Sequence, residues 1–132
     1  MDRTLLIVKP DAVKKNAIGD IIRRVEERGF VVRDIRMLIQ TSEQAGEFYE
    51  VHKERPFYND LVEFMTSGPC VPMVLERDDA VPLLRKVVGA TNPEEADEGT
   101  IRKAHGANVQ NNAVHASDSP ENAANEITFY FQ

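Results

Sequence analysis

A chain of 132 residues with 42% hydrophobic composition can bury one ordinary core but not two large ones, so a single domain over residues 1–132 is expected. A net charge of −6 disfavours nucleic acid as the main partner, because phosphate backbones are held mainly by Lys and Arg. No apolar run approaches the roughly 18 residues of a membrane helix, residues 1–4 lead into a strand rather than a signal-peptide core, and Cys70 has no second cysteine to pair with; a soluble cytoplasmic protein without membrane contact, disulfide or thiolate zinc cage is expected.

Residues 3–8 (RTLLIV) are apolar on both alternating sets and stopped by Pro10, which predicts a central strand buried on two faces. Ile18, Ile21, Ile22 and Val25 then recur at helical spacing, with Gly29 where a left-handed cap would end the helix. Residues 30–40 alternate as a long strand with Val31, Ile35, Met37 and Ile39 on one face and Arg33 as the exception. Thr41 and Gln44 can form a capping box, followed by a helix with Ala45, Phe48, Tyr49 and His52 on one face. A second short helix carries Phe57, Leu61, Phe64 and Met65. Both stripes also suit a packed core.

Residues 70–76 read as another apolar strand, and Asp78 can cap a helix reaching Val88, with Pro82 tolerated in its first turn. From residue 89 to 112 the chain turns polar, and such loops are functional or disordered. A solvated acidic surface would account for Glu94, Glu95, Asp97 and Glu98, whereas Thr91, Arg102 and Asn112 favour function. After Pro120 a short helix through Ala123 and Ala124 is predicted, and Ile127, Phe129 and Phe131 alternate as a last strand. Strands and helices mix without regular βα alternation, so the fold class is an α/β sandwich with a mainly antiparallel sheet.

The segment Asn112-Ala113-Val114-His115-Ala116-Ser117-Asp118-Ser119 carries the chemistry. It sets His115 among small and hydroxyl side chains. Imidazole titrates at about pH 6.5, so one ring nitrogen is free to attack an electrophile at neutral pH, and phosphorus is the natural target. The seven glycines form neither Gly-x-x-x-x-Gly-Lys-Ser/Thr nor Gly-x-Gly-x-x-Gly, so phosphate would have to be held by side chains. On the predicted last strand Glu126 has opposite parity to Ile127, Phe129 and Phe131, and therefore points away from the face they bury.

The octapeptide resembles the active-site segment of nucleoside diphosphate kinases. Lys9-Pro10-Asp11-Ala12 and His52-Lys53-Glu54-Arg55-Pro56-Phe57 resemble that family's lysine segment and the segment where its nucleotide enters. Ser67-Gly68-Pro69, Gly89-Ala90-Thr91-Asn92-Pro93, Gly99-Thr100-Ile101-Arg102 and Glu126-Ile127 agree in order, so the resemblance runs from Arg3 to Phe131.

The resemblance implies a ferredoxin-like βαββαβ core with extra helices and a long active-site and assembly loop. It implies that His115 takes the γ-phosphate of ATP or another nucleoside triphosphate and passes it to a nucleoside diphosphate in a ping-pong cycle. Lys9, Arg85 and Arg102 would stabilise the in-flight phosphoryl oxygens. Glu126 would accept a hydrogen bond from one imidazole nitrogen, and Ser117 would bond the same carboxylate. Phe57 would stack on the base, with apolar contact from Leu61 and Val109. Lys9 and Asn112 would meet sugar hydroxyls, Thr91 a phosphate, and Tyr49 would place a hydroxyl near the transferring group. Mg²⁺ would arrive on the phosphates, so no protein metal ligand is assigned. His52 reads as a link between its two helices, and His105 as a loop residue.

Ala116 stands where the family usually has Gly, which would cost about 1 kcal/mol if the position needed positive φ. Glu98 replaces a common Pro, and Ala104-His105 a common Asp-Phe pair, in the loop that family members use at subunit contacts. A homo-oligomer is implied, with a tetramer ahead of a dimer or hexamer because the chain ends at Gln132 without a C-terminal extension. Two rival readings are a catalytically idle regulatory or nucleic-acid-interacting member, and an enzyme that passes its phosphohistidine group to a protein. Retention of His115, Lys9, Arg85, Arg102 and Asn112 opposes the first.

Overall fold

The computed structural model describes residues 1–131. Strand β1, Asp2–Val8, is buried from Thr4 onward on both sides, as its unbroken apolar run requires. Pro10 opens helix α1, Pro10–Lys14, at a position where its missing N–H costs nothing. Helix α2, Ile18–Glu27, buries Ile21 and Val25 and ends at Gly29, whose φ of +86° suits the left-handed cap.

Strand β2 is Val31–Ile35, followed by α3, Ser42–Phe48, which starts with the capping box of Thr41 and Gln44. A 3-10 turn, Glu50–His52, leads to α4, Tyr58–Met65. Then come β3, Val71–Arg77, and α5, Ala80–Val88. The polar stretch holds a 3-10 turn, Pro93–Glu95, and the short helix α6, Ile101–His105. Strand β4, Val114–Ala116, and helix α7, Pro120–Tyr130, complete the described residues.

The four strands lie in the order β2-β3-β1-β4, and each neighbouring pair is antiparallel. Both crossovers therefore skip a strand, β1 to β2 around β3 and β3 to β4 around β1. This is the ferredoxin-like βαββαβ arrangement. Alternation along β1 supplies two cores: Leu6 and Val8 pack with Ile21, Val25 and Leu84 of α2 and α5, while Leu5 and Ile7 pack with Ala45, Met65 and Tyr130 of α3, α4 and α7. None of the helices in the described residues is long and apolar enough to cross a membrane.

The structure corrects four expectations. Residues 127–131 do not form a strand: α7 runs through to Tyr130, with Ala123, Ile127 and Tyr130 turned toward the sheet at helical spacing. β-branched and aromatic residues favour a strand, but packing on the sheet overrides that propensity. The fourth strand is instead the three-residue β4. Residues 30–40 give a shorter strand with an irregularity between Val32 and Asp34 and an isolated bridge at Leu38, and Val31, Ile35, Met37 and Ile39 are all exposed along the sheet edge. Asp79, not Asp78, precedes α5, and its N–H donates to the Asp2 carboxylate. The helix expected to carry His52 stops at Phe48, leaving His52 in the 3-10 turn.

Candidate functional site

Strand register fixes the direction of His115. It pairs with Ile7 of β1, and direct cross-strand partners share a face, so the imidazole joins Ile7 on the side covered by α3, α4 and α7. Val114 and Ala116 go the other way, into the core with Leu6 and Val8. On its own side His115 meets Glu126 of α7, whose Oε1 lies 2.9 Å from Nε2. The Ser117 hydroxyl donates to the same oxygen at 2.7 Å. Nε2 is thus engaged and Nδ1 is left for chemistry. Phe48 of α3 packs against the imidazole, with centroids 5.5 Å apart and planes at 80°.

Lys9 follows β1 directly and is 6% exposed. Its ammonium donates to the Gln110 carbonyl at 3.0 Å and to Asn112 Oδ1 at 2.9 Å, and lies 5.3 Å from the centre of the Phe64 ring. Burial lowers its pKa from the ordinary 10.5 to about 8, with Asp11 opposing the shift and Arg102 adding to it. Asn112 Nδ2 donates to the Thr91 carbonyl at 3.1 Å, tying both ends of the polar stretch together.

Two arginines grip the backbone of β4. Arg85 of α5 donates to the Ala116 carbonyl at 3.3 Å, and Arg102 of α6 to the Val114 carbonyl at 3.0 Å and the Gly89 carbonyl at 3.2 Å. They therefore flank His115 through its neighbours' backbone. Arg102 is 7% exposed, and its Nε is buried without a partner among the described residues. Burial, then repulsion from Arg85, lowers its pKa to about 10, so it remains charged at neutral pH. Gly89 makes this approach of α6 possible: at φ +92° an added Cβ would come within 2.7 Å of Thr100. Among the described residues none of Lys9, Arg85 and Arg102 forms a salt bridge.

Of the other residues singled out from sequence, Phe57 is 47% exposed and packs its ring on His52 at 5.5 Å. Leu61 is half-buried nearby, Val109 is exposed, and the Thr91 side chain faces solvent. Tyr49 is buried, and its ring packs on Phe48, which in turn meets His115. Its hydroxyl pKa is pushed up by burial, then by Cys70 and Glu126.

The positive φ considered for Ala116 falls instead at Ala113, at +75°. Asp11 secures it, accepting the Ala113 N–H at 3.0 Å, while the Lys9 N–H donates to the Ala113 carbonyl at 2.9 Å. Sequence reasoning gave Asp11 no role beyond its motif and read Phe48 as core. No spacing along the chain reveals either contact. A cavity of about 670 Å³ elsewhere, lined in part by Val81, Pro82, Pro120 and Ile127, is mainly apolar and does not suit a polyphosphate.

Comparison with known proteins agrees with this geometry. The family model described as nucleoside diphosphate kinase matches residues 2–132. The nucleoside diphosphate kinase of Persephonella marina is 56% identical over 131 residues, covering 99% of this chain and 94% of that protein. That of Halorhodospira halophila is 55% identical over 132 residues, covering 100% and 94%. Among solved structures, nucleoside diphosphate kinase from Aquifex aeolicus superposes with a TM-score of 0.97 at 50% identity, over 99% of this chain and 95% of that one. The apo enzyme from Encephalitozoon cuniculi gives 0.96 at 39% identity, over 99% and 89%. With a ferredoxin-like sheet, a glutamate-bound histidine and a family match over nearly its whole length, the chain belongs to the nucleoside diphosphate kinase family.

Proposed function

We propose that this chain transfers the γ-phosphate of ATP or another nucleoside triphosphate to a nucleoside diphosphate through phosphohistidine at His115. The observation that carries the reading is the pairing pattern: the histidine is oriented by a carboxylate, while Lys9, Arg85 and Arg102 form no salt bridge among the described residues. A buried guanidinium nitrogen without a partner is costly unless an anion arrives to meet it, and phosphate oxygens match the guanidinium fork.

In the first half-reaction the Nδ1 lone pair attacks the γ-phosphorus, the bond to the β,γ-bridging oxygen breaks, and the diphosphate leaves with that electron pair. Nε2 keeps its proton, shared with Glu126, so the positive charge of the phosphorylated ring is stabilised without a proton transfer. In the second, a terminal oxygen of the acceptor diphosphate attacks the same phosphorus, the N–P bond breaks, and the imidazole is restored. Lys9, Arg85 and Arg102 stabilise the equatorial oxygens in both directions. Ser117 holds Glu126 in place, and Tyr49, packed on Phe48, places its hydroxyl near the transferring group.

Phe57, Leu61 and Val109 form an open apolar grip on the base, and stacking on Phe57 accepts any base. Lys9 and Asn112 contact the sugar, and Thr91 a phosphate. Mg²⁺ enters as part of the nucleotide substrate, drawing charge from the phosphate oxygens; the protein's own groups here are a cationic set, which suits those oxygens and not a metal.

The reading takes residues 1–132 as one domain, working in the cytoplasm. A free, buried Cys70 is compatible with a reducing compartment. It also includes a homo-oligomer, with a tetramer built from dimers favoured; the exposed apolar row of β2, at a sheet edge, supports self-association.

The test is a two-stage chase. Protein labelled with γ-phosphate-labelled ATP and Mg²⁺ is isolated, then given unlabelled GDP. Label moving from an acid-labile phosphoenzyme into GTP supports the cycle. A folded, nucleotide-binding sample that never labels points to an idle homologue, and label passing only to added protein points to a protein acceptor.

A further inference from the structure

We infer that Asp20 and His105, with Arg24, form a positioning device that holds Arg102 in register with His115; the inference rests on the phosphate role proposed for Arg102. Helix α6 has five residues, too few to persist by its own hydrogen bonds, so its place must come from tertiary contacts. Its middle is held by Ile101 in the core and by Arg102 on the Gly89 and Val114 carbonyls, and its two ends by polar contacts to α2 and the turn before it. At one end of α6 the Arg24 guanidinium donates to the Gly99 carbonyl at 3.0 Å. At the other, His105 Nε2 lies 2.6 Å from Asp20 Oδ2, and Lys15 donates to the His105 carbonyl at 3.1 Å.

Asp20 joins the two ends. Its Oδ2 also accepts from Arg24 Nε at 2.7 Å, so one carboxylate oxygen serves the residue that grips the start of α6 and the residue that closes it. Arg23 occupies the other oxygen at 2.7 Å. The side chains of His105, Arg24 and Asp20 are only 20%, 23% and 32% exposed, so these bonds are less screened than surface ion pairs. The Asp20 carboxyl is correspondingly held well below the usual range, by Arg24 first, then His105 and Arg23.

Arg102 sits between the two anchored ends. It is fastened to Gly89 and Val114 by hydrogen bonds of 3.2 and 3.0 Å. A small shift of α6 would misdirect its guanidinium without unfolding the domain, and small misplacements are costly in transfer reactions. His105 and Asp20 touch no reacting atom and act through α6.

The experiment is a mutant cycle with Arg102, read as kcat/KM for transfer from ATP to a nucleoside diphosphate by the full chain. His105→Phe keeps the ring and removes the donor; His105→Gln places an amide N–H within reach of Asp20. The expected result is a loss of about tenfold for H105F, recovery of most of it in H105Q, and no further loss when H105F is added to R102A. A merely structural role would lower activity by the same factor in both backgrounds. That result, or full activity of H105F, overturns the inference. If H105F does not fold, Asp20→Asn is read in the same cycle. An R102A variant with unchanged transfer would sink the phosphate role of Arg102 and this inference together, whereas a slow R102A with a multiplicative H105F effect sinks the inference alone.

Discussion

The sheet centre and the polar stretch of residues 89–112 hold the two halves of the site in different ways. His115 is aimed by backbone pairing with β1 and by its neighbours' burial in a dense core. Arg102, Asn112 and Thr91 are tied by side-chain-to-backbone bonds that reach 12 to 21 residues along the chain. The nucleophile is therefore mechanically coupled to global stability, while Arg102 depends on a polar network that can loosen locally. Substitutions should separate the two.

The largest effect is expected for His115→Ala. Phosphoenzyme should vanish, while the melting temperature stays close to that of the parent, because the imidazole is partly exposed and its neighbours carry the packing. Persistent labelling in a chase assay would show that the nucleophile lies elsewhere. Arg102→Ala, on the polar side, should slow transfer by about a hundredfold or more. A drop in rate matched by an equal loss of stability would mean that Arg102 is chiefly structural.

Lys9 lies between the two regions, and pH can break their link. With its pKa near 8, the ammonium that serves the phosphates is lost as pH rises past that value, so kcat/KM should fall on the alkaline side and Lys9→Arg should move that limb upward. Stability should run the other way. Between about 8 and the unfolded value of 10.5 the unfolded chain binds more protons, so the Lys9 contribution to stability grows with pH; below 8 its buried charge opposes folding in full. Denaturant titrations of the parent and Lys9→Met across this window would reveal it, and identical pH dependence would refute it.

The smallest expected effect on chemistry, and a clear one on stability, belongs to Gly89→Ala. Positive φ costs about 1 kcal/mol, and the clash with Thr100 adds to it. A fully stable variant would show that α6 can move aside freely.

Much of the architecture is legible from local pattern. The strand of residues 3–8, the α2 stripe and the Thr41–Gln44 box are formed by signals lying within one element. The candidate site residues were legible through motif resemblance, because each motif keeps its spacing to His115. The rest is tertiary. Three residues are too few to show a strand period, so β4 is invisible next to the more strand-like composition of residues 127–131. Phe48 faces His115 only once the sheet has turned the imidazole toward α3, and His105 gains a partner 85 residues away. No periodicity encodes such contacts.

The left-handed Ala113 has a consequence of its own. In a strand, a slip of one residue reverses every side chain. Were β4 to pair one position out of step, His115 would turn into the core beneath α5 and a valine or alanine would face Glu126. Pinned by Asp11 and by the Lys9 backbone, the kink at Ala113 acts as an indexing notch, set two residues ahead of the histidine. Changes of length upstream can then be absorbed in the loop without altering which residue is presented to the nucleotide, so the loop is free to diverge among relatives while the nucleophile stays in phase.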